Sequence, residues 1–434
     1  MASGCRTSQT VLVAGFLAIS FGVPLGQIGV ELWRGEPVQF TDLFRHAPTQ
    51  RHLRDFEQGL EDQWWGQRIV RPATQGMLFA MLGDTGAKAL RGRGDWMFFR
   101  PGVRYIAESD RPGRDGVAAA IVEYRDQLKQ HGIELLVVPV PGKASVYPDR
   151  LTHRFDGNDF EFRSPTEELI EKLADHQVET VDLFARFREA RRGERLAVSE
   201  EAYYLTRDTH WTPAGAKVAA EAVARRMRGL GWAPERPWDY TIEQVRVARR
   251  GDVPQMMQIP GRWQFASPQM VDCRRIVDRL AGPMVPSAGG RDGRFINGHL
   301  VDTPLQPAIL LLGDSYSRIY QIAEPASLGE LIEPTGDARA HVREKGTSAV
   351  AGKRLLPGSA GFPSLLMWEL KAPVDYVVSD GGAATDVRRR LHVDPEILEG
   401  KKVVIWQFAE RDIGLGRAGW QTVPLPPLLE AGLP

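Results

Sequence analysis

Cysteine is nearly absent from this chain: Cys5 and Cys273 are the two among 434 residues. That excludes a disulfide scaffold and any zinc site built from clustered cysteines. An excess of either charge is missing as well, since 55 Lys+Arg face 55 Asp+Glu. Neutralising a phosphate backbone takes a basic surplus or patch, so no nucleic-acid partner is expected. The nine histidines include no HExxH pair, and His46 and His52 fall on a helix face expected to be solvated, so no metal is expected. Gly142-Lys143-Ala144-Ser145 looks like the end of a phosphate loop, but the earlier glycine and a Ser/Thr directly after the lysine are missing. Arg188, Arg191 and Arg192 form a short basic run broken by Glu189, which reads as a solvated helix end. None of these patterns calls for a cofactor.

What is present is a globular composition, 43% hydrophobic and 25% charged, in a chain longer than one ordinary domain. The first shift in texture is at the N-terminus, where Val11 to Val30 reads VLVAGFLAISFGVPLGQIGV. This run carries no charge and is about long enough to cross a bilayer core. Arg6 before it favours a cytosolic N-terminus. The expectation is an uncleaved anchor over residues 10–31 after a short cytosolic segment 1–9, with the remainder outside the cytoplasm. A cleaved signal peptide, leaving a soluble exported protein, is the alternative. An anchor separates Cys5 from Cys273 and so makes a disulfide between them unexpected.

Residues 32–91 read as a juxtamembrane helical segment, with Leu53, Phe56, Leu60, Trp64 and Trp65, then Met77, Leu78, Met81 and Leu82, at helical spacing. At Gly92 the texture changes to GRGDWMFFRPGVRYI, a turn leading into an aromatic strand. Helix and strand alternate beyond it, which predicts a parallel α/β sheet over 92–415. Helices are expected at Val117–His131 and Glu167–His176, and strands at Ile133–Val140 and Val178–Leu183. Another helix is expected from Pro213 with Thr212 as its N-cap. Residues 231–303 are rich in Pro, Gly and Arg and read as an insertion or cap. Regular strands return at Pro307–Leu312, Val374–Val378 and Lys402–Phe408, and 416–434 is left as a tail.

Two short stretches carry chemistry. Gly313-Asp314-Ser315 follows the apolar run PAILLL, and a serine at the carboxyl end of a parallel strand faces the crevice where open α/β sheets hold ligands. Its own amide can face an oxyanion there. The plainer reading is a strand-to-helix cap made by Asp314 or Ser315. The second stretch is Asp208-Thr209-His210, in which an Asp two residues before a His can take the Nδ1 proton and leave Nε2 to accept from a serine. Alone it reads as a surface turn; with the serine, a nucleophile, a base and an orienting acid are all present. Trp406, Glu410 and Arg411 lie at or just past the last strand, so stacking on a sugar and bonding its hydroxyls are open to them. A core role for Trp406 and a structural Glu410–Arg411 pair are equally open. Tyr316 and Arg318 flank the serine and either contact substrate or orient the turn. Asp252 reads as part of a Gly-Asp turn.

The pairing of DTHWTPAG with GDSYS resembles the SGNH-hydrolase-like domain of the alginate O-acetyltransferase family of periplasmic proteins. Gly94-Asp95-Trp96-Met97-Phe98-Phe99, VVPVPGKASVYPDRL, Arg250-Gly251-Asp252-Val253 and VVIWQFAERD share that texture, so the resemblance runs over roughly residues 55–415. It implies an SGNH-hydrolase-like central parallel sheet flanked by helices, with a circularly permuted order because the Asp-x-His block precedes the serine. It implies Ser315 as nucleophile and amide donor, His210 as general base and Asp208 as its orienting partner. The Gly and Asn blocks that complete the oxyanion hole in ordinary SGNH enzymes have no plain counterpart here. The short stretch after the last strand resembles the membrane-anchored single-domain members, without a carbohydrate-binding module. That resemblance makes the exported side the periplasm and the anchor an inner-membrane one. The implied function is serine-dependent O-acetyl transfer to an exported polysaccharide, with a polytopic membrane O-acyltransferase supplying acetyl groups. An esterase or deacetylase with the same triad, and a non-catalytic polysaccharide-binding scaffold, are the competing expectations.

Overall fold

A computed structural model describes residues 2–45, 49–63, 70–108, 115–155, 162–196, 202–235, 237–260, 267–278, 287–288, 296–298, 307–322, 329–334, 359–415 and 419–426. Two compact units divide the chain, residues 1–84 with 258–264 and residues 85–257 with 265–434.

The first unit is helical: Ala2–Arg34, Gln39–Arg45, Gln50–Gln63 and Val70–Leu82. Within the first helix Leu12–Arg34 is long and apolar enough to cross a membrane by length and composition. Pro24 sits inside it without ending it. Trp64 and Trp65 lie outside the described residues.

The second unit opens with an antiparallel pair, β1 (Ala89–Arg91) and β2 (Met97–Phe99). The strands β3 (Glu134–Val140), β4 (Glu179–Thr180), β5 (Tyr240–Arg249), β6 (Gln269–Asp278), β7 (Ser287–Ala288), β8 (Ile296–Gly298) and β9 (Ile309–Gly313) follow. Next come β10 (Gly329–Pro334), β11 (Asp375–Val378) and β12 (Val403–Ala409). The main sheet runs β4-β3-β12-β9-β11-β8-β7, its first five strands parallel and β8 and β7 added antiparallel at one edge. A separate antiparallel sheet has the order β10-β5-β6. The stretch 231–303 therefore contributes strands to both sheets.

Both faces of the parallel sheet are apolar because helices cover both. Leu136 and Val138 of β3, Ile309 and Leu311 of β9, and Val403 and Ile405 of β12 pack on one side. That side meets Ala216, Ala220, Val223 and Met227 of the helix Pro213–Gly229. The intervening residues Leu135, Val137, Leu310, Leu312, Val404, Trp406 and Phe408 face the other side. There they meet Ile121, Tyr124 and Leu128 of the helix Asp115–Gln130.

Two local expectations change. The aromatic stretch after Gly92 is a strand only for Met97–Phe99; Pro101 then starts the helix Arg100–Ala107, where a missing N–H costs nothing. Of Val178–Leu183 only Glu179–Thr180 is strand, because the Asp182 carboxylate accepts from the Ala185 N–H and turns the chain into the helix Leu183–Leu196.

Candidate active site

Ser315 stands two residues past the end of β9, on a turn held from three sides by Asp314. The Asp314 carboxylate accepts from the Tyr316 N–H at 2.9 Å, the Gln407 side-chain amide at 2.9 Å and the Ala409 N–H at 2.7 Å. The first contact caps the turn of helix Ser315–Arg318, and the other two bind it to β12. Gly313 permits this closeness, since a Cβ there would stand 2.5 Å from Ser317 Oγ.

The Asp208–His210 loop is a tight hairpin closed by a bridge between Tyr204 and Trp211 and by Leu205 N–H donating to the His210 carbonyl at 3.1 Å. Thr212 Oγ1 caps the following helix by accepting from the Gly215 N–H. Tyr316 donates its hydroxyl to the Thr209 carbonyl at 2.7 Å, and Trp211 Nε1 donates to the Tyr316 carbonyl at 3.2 Å. The Ser315 turn and the histidine loop are therefore locked to each other by side-chain-to-backbone hydrogen bonds as well as by the site itself.

The three side chains meet. His210 Nε2 lies 2.8 Å from Ser315 Oγ, and His210 Nδ1 lies 2.7 Å from Asp208 Oδ1, which also accepts from the His210 N–H at 3.0 Å. The tautomer that satisfies these contacts carries its proton on Nδ1 and presents a lone pair to the serine hydroxyl. Asp208 and His210 are buried, and Ser315 is 9% exposed.

Four further groups hold this array. Arg249, at the end of β5, donates Nε to Asp208 Oδ2 at 2.9 Å, and both side chains are almost fully buried. Burial alone raises the Asp208 carboxyl, but the Arg249 guanidinium and His210 outweigh it and hold that carboxyl well below the usual carboxylate range. Asp252 takes the Thr209 N–H at 2.8 Å and the Thr209 hydroxyl at 2.6 Å, leaving its Oδ2 3.6 Å from His210 Nδ1. Burial, and then the neighbouring Asp208 charge, push the Asp252 carboxyl up. Gly251, at φ +83°, brings Asp252 in against the Arg207 backbone, where a Cβ would stand 2.3 Å from the Arg207 carbonyl oxygen. Lys143 is buried with Nζ donating to the carbonyls of Met97 and Thr206, each at 2.6 Å, and of Asp208 at 3.1 Å. Burial pulls this ammonium down to about 7, opposed by Asp208 and Asp252. Gln269 Oε1 on β6 accepts from the Thr206 N–H and hydroxyl, both at 2.9 Å, and ties the small sheet to the loop.

Asp208, His210 and Asp252 place their donor atoms within 4.8 Å of one another, the grouping a cation requires. Their oxygens already accept from His210, Arg249 and Thr209, a set arranged to hold an imidazole and its proton. Asp252→Ala strips Thr209 of two acceptors. It is expected to cost about 1–3 kcal/mol of stability and to lower turnover by roughly 10–100-fold through a loosened histidine, read from melting curves and kcat.

The remaining expected contacts divide. Arg411 comes to Ser315: its Nη2 donates to Ser315 Oγ at 3.3 Å, and the guanidinium stands over the rings of Phe99 and Tyr316. Among the described residues no carboxylate lies within ion-pair distance of it. Trp406 does not face the crevice. It is fully buried on the far side of β12, packs on Tyr124, Phe408 and Trp420, and donates Nε1 to the Ala383 carbonyl at 2.7 Å. Glu410 is buried with its carboxylate occupied, and it is not a partner of Arg411. Its carboxylate accepts from the Gly142 N–H and the Ser145 hydroxyl, each at 2.6 Å, and from the hydroxyl of Ser164, the N-cap of helix Pro165–Asp175. Tyr316 is buried and orients the loop, while Arg318 pairs with Asp380 at 2.8 Å. Arg249, Lys143 and Asp252 are the residues sequence reasoning missed or set aside. Their signal was position, since Lys143 and Arg249 lie at strand ends, but nothing local separates Arg249 from Arg250.

Fold and site together define an α/β domain of the SGNH-hydrolase-like class with a Ser–His–Asp array at the carboxyl end of its parallel sheet. The chain belongs to the family described as "SGNH hydrolase-like domain, acetyltransferase AlgX", whose model matches residues 89–333. Asp208, His210, Arg249, Asp252 and Ser315 fall inside that stretch, and Arg411 falls beyond it. Among curated proteins, a probable alginate O-acetylase AlgJ of Pseudomonas putida is 30% identical over 243 residues, 56% of this chain and 58% of that protein. Its namesake from Pseudomonas syringae pv. tomato is 22% identical over 241 residues, 55% of this chain and 56% of that one. The match thus spans little more than half the length of these relatives. Among solved structures, the O-acetyltransferase domain of Pseudomonas putida AlgJ aligns with a TM-score of 0.48 at 21% identity, covering 74% of this chain and 91% of that one.

Proposed function

We propose that this chain is a serine-dependent O-acetyltransferase acting on an exported polysaccharide through an acetyl-serine intermediate. The observation that carries the reading is the continuous relay from Ser315 Oγ through His210, 2.8 Å away, to Asp208. Ser315 Oγ forms a bond to the donor's acetyl carbonyl carbon as its proton passes to His210 Nε2. The oxyanion faces two donors, the Ser315 N–H and the Arg411 guanidinium. Neither has an acceptor among the described residues apart from the Arg411 contact with Ser315 Oγ itself. The bond to the leaving oxygen breaks as His210 returns the proton to it. A sugar hydroxyl then attacks the acetyl-serine, gives its proton to His210, and leaves as the acetyl ester while Ser315 recovers the proton.

Family membership supports transfer over hydrolysis, and the names of the curated relatives make alginate the first acceptor to test. The long apolar helix supports a signal or anchor that delivers the domain to the exported side; in the anchored form it sits on the inner membrane. A polytopic membrane O-acyltransferase is the proposed acetyl source there. The test is to give the protein p-nitrophenyl acetate with and without alginate oligosaccharides and weigh the sugars by mass spectrometry. Acetylated oligosaccharide that depends on Ser315 is expected. Release of acetate with unmodified sugar at every acceptor concentration would instead define an esterase.

A further inference from the structure

A cavity lined by Thr209 and Tyr316, the chain neighbours of His210 and Ser315, opens between the helix Arg100–Ala107 and the ends of β3 and β12. Its walls include Phe98, Phe99, Val103, Ile106, Ala144 and Ala409, and Arg411 lines it while reaching Ser315 Oγ at 3.3 Å. The polar groups in the wall are engaged elsewhere. Lys143 donates to three carbonyls, Glu410 accepts from the Gly142 N–H and from hydroxyls, and Tyr316 donates to the Thr209 carbonyl. Arg411 is the exception, and it stands at the serine end. A sugar placed here would bury hydroxyls without partners, which is unfavourable. A hydrocarbon chain would meet aromatic and aliphatic surface with its carbonyl beside Arg411.

The geometry points to an acyl-chain slot that accepts linear acyl groups of up to about four carbons, with Gly102 setting its width. This inference rests on the acyl-serine reading above. The cavity holds about 40 Å3, room for roughly three water-sized groups where one needs about 10–15 Å3. An acetyl group places one carbon beyond its carbonyl and a butyryl group three, so acetyl leaves most of the slot empty. Gly102 presents no side chain toward it. A Cβ built there would meet Phe99 Cδ1 at 3.6 Å and Arg411 Cβ at 4.0 Å, ordinary contacts with two wall residues. A larger side chain at this position therefore projects into the slot without requiring the backbone to move. Acylation proceeds by the bond changes already given, with butyryl in place of acetyl and p-nitrophenol, carrying the proton His210 returns, as the leaving group.

The experiment compares kcat/KM for p-nitrophenyl acetate and p-nitrophenyl butyrate in the full chain, for the wild type, Gly102→Ala and Gly102→Val. Intact mass provides a second readout by identifying the acyl group on the protein. Wild type is expected to use butyrate within about tenfold of acetate and to carry a butyryl adduct that Ser315→Ala lacks. The butyrate-to-acetate ratio is expected to fall progressively, by at least about tenfold in Gly102→Val, the scale of one misplaced methylene in an apolar pocket. Acetate turnover with butyrate about a hundredfold or more slower in wild type, or a ratio unmoved by either substitution, overturns the slot and leaves the acyl-serine reading standing. If neither ester is cleaved and no adduct forms, the acyl-serine reading fails and the slot with it.

Discussion

Ser315→Ala is expected to abolish acetyl-ester turnover, by about 10⁶-fold in kcat, with a melting temperature close to that of the wild type. The effect is expected to be that large because the proposed mechanism has Oγ make the covalent bond, and the remaining groups can only orient water or polarise a carbonyl. His210→Ala is expected to match it, since residues acting as one unit do not lose activity additively. Stability is spared because the turn does not depend on Oγ. Asp314 holds the Tyr316 and Ala409 N–H groups and the Gln407 amide, and Ser317 Oγ donates to Gln407 Oε1. The Ser315 hydroxyl itself meets the imidazole and Arg411. Calorimetry alongside kcat separates the two effects, and an inactive variant that also melts many degrees lower would point to a structural serine.

Arg249→Leu is the second large expectation. It leaves the Asp208 carboxylate buried without its cation, an error that costs about 3–5 kcal/mol when one partner of a buried pair is removed. Turnover is expected to fall by roughly 100-fold because His210 loses the fixed carboxylate that orients it. The pH dependence has a definite sign. In the wild type the Asp208 carboxyl is held below its unfolded value, near 3.9 in a free chain. Its contribution is therefore complete above that value and is lost as pH falls through the lower folded one. Without Arg249, burial is opposed by His210 alone and the folded value rises. The stability gap between wild type and variant is then widest at neutral pH and narrows as pH falls toward the carboxylate range. Denaturant titrations at a series of pH values read this directly; a gap that widens in acid would mean that Asp208 is not the group Arg249 serves.

The parts of the site that could be read from sequence are those made by neighbours in the chain. Asp208 and His210 are two residues apart, so one hairpin brings their side chains together, and PAILLL announces a strand whose end must carry Ser315. Arg249 and Asp252 come from the end of β5 and just past it and Lys143 from beyond β3, and no local pattern distinguishes a cation there that reaches inward from one that reaches solvent. Trp406 illustrates a different gap. Its strand was legible, but both faces of a parallel sheet are apolar, so alternation does not say which face meets the site. Gln407 is the clue in retrospect. It is the polar residue in the run VVIWQFA, and its amide holds Asp314 and Ser317 at the nucleophile turn, which places Trp406 on the opposite face.

The Arg100–Ala107 helix was hidden for a related reason. The stretch GRGDWMFFRPGVRYI reads as a turn leading into an aromatic strand. The strand stops at Phe99 and a helix with Pro101 in its first turn follows, so one wall of the cavity, Gly102, Val103 and Ile106, is presented by a helix. The resemblance in DTHW and GDSYS identified the array but not the groups that hold it.

The central claim is that Ser315 carries the acyl group. Intact-mass spectrometry of the protein mixed with p-nitrophenyl acetate and quenched in acid, followed by peptide mapping, tests it most directly. A single acetyl adduct is expected on the peptide containing Ser315, absent in Ser315→Ala and discharged when an acceptor sugar is added. Turnover of the ester with no adduct at Ser315, or with the adduct on another residue, would contradict it.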